Sequence, residues 1–253
     1  MSLINRLVPV LSAFTLLVLF WLALIVPAWL FSLIGLSLVI VIVSTWWITG
    51  RRIFKSKFWN FLISPLIFIL AGWLFTIFLD NNRGRSLVLL AIIFFYWLFF
   101  EVVYHYLYRR PRYQAHSLGN ISSYLNTLSI FLLTSGFFNL VIFLEFPFWP
   151  LAVILPMVVG LLTHQLLWAN EIPIATSRPY SLIISFIITE LYLAIILLPT
   201  SVYVNGFILT VGYYIMSGLA KNWLLSIRDK SVFARYLTIG FILFIIILVS
   251  AKW

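Results

Sequence analysis

The chain is divided by its polar and proline-bearing breaks into about nine mainly apolar runs, each close to the ~20 residues a helix needs to cross a bilayer. They cover residues 7–26, 28–49, 61–79, 86–108, 117–144, 150–168, 181–198, 203–225 and 232–251. Runs of that length and number predict an all-α, polytopic transmembrane helical bundle of about nine helices, with residues 1–253 as a single integral membrane domain. With 64% of residues hydrophobic and only 9% charged, the chain carries far more apolar surface than a water-soluble core can use. The first run is too long for a signal-peptide core and is followed by no small-residue cleavage pattern, so it is expected to remain as a helix. Only Pro27 separates it from the second, which leaves eight and nine helices as alternatives at that end.

A net charge of +10 raises nucleic acid as a partner, but the Lys and Arg residues come as short clusters between apolar runs, which is the pattern of membrane topology. Arg6, then Arg51, Arg52, Lys55 and Lys57, then Arg109, Arg110 and Arg112, then Arg228, Lys230 and Arg235 all fall on one side in this reading. The opposite loops offer Arg83 and Arg85 against Asp80, and Glu145. Positive charge in short loops is retained in the cytoplasm, so the N-terminus is expected there. No internal duplication or soluble domain is evident, and the longest polar break is 169–180. The absence of cysteine excludes disulfides, thiolate metal sites and a thiol nucleophile.

The polar residues inside the runs gather in one leaflet. In FFEVVYHYLYRRPR, Glu101 and His105 are four apart and so share a helix face, about 10 Å and about 5 Å from the end near Tyr108. The fifth run opens on the same side with Asn120, Ser122, Ser123 and Asn126, and His164 and Gln165 close the sixth. Glu190 falls near the midplane of the seventh. Charged groups at such depth cost at least a few kcal/mol unless they meet a partner or water, so a polar pocket is expected, lined by Glu101, His105, Asn120, Asn126, His164 and Glu190. Arg109, Arg110, Arg112 and Arg178 would stand at its mouth as candidates for head-group binding, where topology alone also explains a basic cluster. The blander reading has these groups bonding to neighbouring helices, each bond worth on the order of 0.6 kcal/mol. Glu101, His105 and His164 have the ligand types of zinc or iron sites, but one carboxylate and two imidazoles at unknown distances make no metal site; neither metal nor cofactor is expected. Lys221 is explained by snorkelling to a nearby basic loop.

Phosphate-binding glycine loops, Gly-x-Ser-x-Gly, His-Glu-x-x-His and paired aspartate-rich motifs are all missing. The run SLGNISSYLNTLSIFLLTSGFF, with YVNGFILTVGYY and RYLTIGF further on, resembles a family of bacterial polytopic membrane proteins with no assigned function, over most of the chain from Glu101 onward. The resemblance implies a helical protein of the bacterial cytoplasmic membrane, multi-pass, and carries no functional residue with it. Three functions stay open: binding or transport of a small ion or lipid, a membrane-embedded enzyme acting on lipid with His105 or His164 as base, and a structural or assembly subunit. The expected partners are the bilayer and its anionic lipid head groups, and not nucleic acid; the sequence does not fix an oligomeric state.

Overall fold

The computed structural model describes residues 3–50, 56–109, 117–198, 200–227 and 230–250. Among these residues there are nine α-helices and no strand: α1 (Leu3–Ile25), α2 (Leu30–Ile48), α3 (Ser56–Ile77), α4 (Asn82–Tyr108), α5 (Ser117–Leu144), α6 (Phe148–Ala169), α7 (Ile174–Ile195), α8 (Val202–Leu224) and α9 (Lys230–Ser250). The first eight are long and apolar enough to cross a membrane, and the described apolar stretch of α9 is Ala234–Leu243.

Pro27 settles the count at the N-terminal end. It has no N–H to continue α1, and it forces the preceding Val26 out of the helical region to φ −126°, ψ 79°. A single 3-10 turn, Pro27–Trp29, then leads directly into α2. Two other breaks are shorter than the sequence implies. α3 begins at Ser56, and α7 begins at Ile174 with Pro179 inside it, so the polar break expected over 169–180 closes to 170–173. Pro179 deprives α7 of one backbone bond in its second turn, where Ser177 and Ser181 donate to the carbonyls of Ile174 and Ser177 at 3.2 and 3.1 Å.

The chain forms two compact units, Met1–Leu125 and Asn126–Trp253, divided within α5. In the first, α1 packs on α2, α2 on α3, α3 on α4 and α4 back on α1, a ring of four helices joined by short connections. Its centre is aromatic: Phe20 of α1 stacks on Trp73 of α3 at 4.0 Å, and the Trp73 indole N–H donates 2.9 Å to Ser37 Oγ of α2. Gly72 lets α4 approach closely, since a Cβ there would lie 2.8 Å from Ile92 Cδ1. In the second unit α6 packs on α7, α7 on α8 and α8 on α9. The second part of α5 serves as the strut: Asn126 bonds to α6, Phe138 packs its ring 5.1 Å from Tyr192 of α7, and Ser135 fits against Gly206 of α8 so closely that a Cβ would collide with its side chain.

Candidate functional site

The α4 register delivers what the four-residue spacing predicts: His105 Nε2 lies 3.3 Å from Glu101 Oε1. Neither side chain is sealed in, their exposures being 29% for His105 and 35% for Glu101. With Nε2 turned to the carboxylate, Nδ1 is the ring nitrogen left to meet anything else. That Nδ1 is buried and has no hydrogen-bond partner. A polar group brought against the ring would complete it.

The surroundings are aromatic and cationic. The Tyr104 ring meets the His105 ring at 5.7 Å in an edge contact, stacks at a tilt 5.5 Å from Tyr108, and carries the Arg109 guanidinium 5.9 Å above its face. Tyr108 donates its hydroxyl 2.9 Å to the Ile48 carbonyl, which ties the end of α4 to the end of α2. The helix stops at Arg109, whose backbone N–H still bonds the His105 carbonyl at 3.0 Å. Arg110 and Arg112 lie outside the described residues. Asn120 is exposed near the start of α5.

The other three candidates belong to the second unit. Asn126 is fully buried and donates to the Leu162 carbonyl at 2.9 Å and to Gln165 Oε1 at 3.0 Å, with Gln165 and Thr163 equally buried beside it. The Tyr213 hydroxyl reaches this group from α8, next to Thr163 and Asn126, yet makes no bond of normal geometry. His164 is half-buried one residue away, within electrostatic range of the exposed Arg178. Glu190 is exposed: the buried stripe of α7 runs through Ser181, Ile184, Ser185, Ile188 and Tyr192, and two residues' rotation from Ile188 turns Glu190 to the opposite side. Within the units, then, Glu101 meets His105 and Asn126 meets Gln165. Tyr213 gave no signal in the sequence, being one aromatic among many.

Among the described residues no three His, Asp or Glu side chains gather as metal ligands would. No curated protein and no solved structure matches the chain. A family profile described as protein of unknown function does match, over residues 44–250, and so reaches well before Glu101, where the likeness seen in the sequence begins. That span takes in most of the chain, which therefore belongs to this family, DUF5656.

Proposed function

We propose that this is a multi-pass protein of the bacterial cytoplasmic membrane, its N-terminus in the cytoplasm, that binds or moves a small ion or an anionic lipid head group at Glu101 and His105. The observation that carries this reading is the buried, unpartnered Nδ1 of an imidazole whose other nitrogen is already held by a carboxylate. An imidazole turned to a carboxylate on one nitrogen keeps its second ring nitrogen for a hydrogen bond to something else. Arg109, beside the pair, supplies the charge that phosphate would meet at head-group level. Support for the orientation comes from the Lys and Arg clusters that the sequence sets in alternate breaks between apolar runs.

The test uses purified protein in nanodiscs of phosphatidylcholine with and without phosphatidylglycerol, and in proteoliposomes carrying a pH-sensitive dye. The anionic lipid should raise the unfolding midpoint, or the vesicles should pass protons, and His105→Asn should abolish that response while leaving the midpoint in phosphatidylcholine nearly unchanged. Wild-type responses in both His105→Asn and Glu101→Gln would sink the reading. A packing role has its own observation at Asn126, whose two donated bonds join α5 to α6 at zero exposure.

A further inference from the structure

At the other end of α4, Arg85 lines a cavity of about 220 Å³ together with Phe20, Leu24, Pro27, Trp73 and Thr76. Arg85 and His105 are twenty residues apart, or about 30 Å along the helix, so this cavity is separate from the Glu101–His105 pair. Its floor is the stacked pair Phe20 and Trp73, exposed by only 1% and 3%, while Pro27 and Ile77 are exposed at its margin.

The cation in this cavity is poorly accounted for by the fold. Asn81 caps α4 by accepting from the Arg83 N–H at 3.0 Å, which puts Arg85 in the first turns of the helix, the end whose dipole disfavours positive charge. One terminal nitrogen of the guanidinium donates to the Leu79 carbonyl just beyond α3. Its Nε is buried and has no acceptor. Among the described residues no carboxylate forms an ion pair with it, although Asp80 is only five residues away and exposed. Thr76 spends its own hydrogen on the Gly72 and Trp73 carbonyls at 2.9 and 3.1 Å.

A guanidinium that one backbone carbonyl meets and no carboxylate pairs, set in an apolar wall, fits one negative charge attached to hydrocarbon. We propose that this cavity binds the head group of an anionic amphiphile, a carboxylate or phosphate carried on an alkyl chain. The volume, about seven waters' worth, takes such a head group and the first methylenes. The rest of the chain leaves past Pro27 and Ile77. A free inorganic anion would satisfy the arginine but would strand itself against Phe20, Leu24 and Leu89 without solvation.

The full chain in phosphatidylcholine nanodiscs is titrated with 2-bromododecanoate, with its methyl ester and with inorganic phosphate. Quenching assigned to Trp73 is read as the difference between the protein and its Trp73→Phe variant. The acid should quench saturably, and the ester at least about tenfold more weakly. Arg85→Gln should weaken the acid by a similar factor, Arg85→Lys by much less, and Ala23→Phe, which fills the cavity with the arginine intact, should remove binding. Glu101→Gln and His105→Asn should leave the titration unchanged, whatever happens at that other site. Equal quenching by acid and ester, or full binding by both Arg85→Gln and Ala23→Phe, would overturn the proposal. Displacement of the acid by phosphate at equal concentration would do the same, by making this a site for a free anion. If Arg85→Gln does not fold, Ala23→Phe and the ester still decide.

Discussion

Asn126 in the second unit and His105 in the first are both polar residues within membrane-spanning helices, yet their hydrogen-bond accounts are opposite. Asn126 is fully buried, and its amide hydrogens go to the Leu162 carbonyl and Gln165. His105 keeps 29% of its side-chain surface open and leaves Nδ1 unmet. Burial with bonding is what interhelical adhesion looks like; a half-open side chain that keeps one nitrogen unmet is a different account. Depth in the membrane, shared by both, does not separate the two roles.

The comparison can be tested by removing groups from each side. The largest loss is expected for Asn126→Leu, which deletes two interhelical bonds at once and should cost roughly 1–3 kcal/mol of stability at membrane values of about 0.6–1.7 kcal/mol per bond. Denaturant-induced unfolding in mixed micelles measures it; a loss below about 0.5 kcal/mol would make Asn126 no more adhesive than His105. His105→Asn and Glu101→Gln should each cost about 0.3–0.5 kcal/mol, the usual worth of a half-exposed pair one helical turn apart. The same unfolding assay applies, and a loss above about 2 kcal/mol would move this pair to the structural side, since breaking up an adhesive network reaches that size. Smallest of all should be Tyr213→Phe. Its hydroxyl lies beside Thr163 and Asn126 in geometry too loose for a normal bond to either, so deletion should stay within about 0.5 kcal/mol of zero or stabilise slightly. A large loss there would mean that the buried group of the second unit relies on a bond the structure does not show.

The helices were legible in the sequence because crossing a bilayer demands about 20 apolar residues in a row, whatever the helix packs against. Their ends were less so. Ser56 to Asn60 and Ile174 to Tyr180 look like loop, being polar or proline-bearing, but the first turns of a spanning helix lie at the interface, where such residues are tolerated. Spacing alone made Glu101 and His105 neighbours, since both ride on one helix. Asn126 could be picked out, but its partner Gln165 sits 39 residues away on another helix, and only packing brings them together. Arg85 looked like a topology marker beside Asp80. Its cavity is walled by residues from four helices, and no single stretch of the chain records that.

The length of α4 has a consequence for the membrane around it. The helix has 27 residues, about 40 Å at the α-helical rise, longer than a hydrocarbon core of about 30 Å. Between Arg85 and Glu101, however, its uncharged stretch covers only about 24 Å. Around this helix the mismatch can be met by a thinner bilayer, by side chains reaching to the interface, or by water that follows Glu101 below the head groups, at a cost of a fraction of a kcal/mol for each ångström. A thinner membrane relieves that cost, so lipids with shorter acyl chains should collect around the first unit, and bilayer thickness becomes a variable that the two ends of α4 register together.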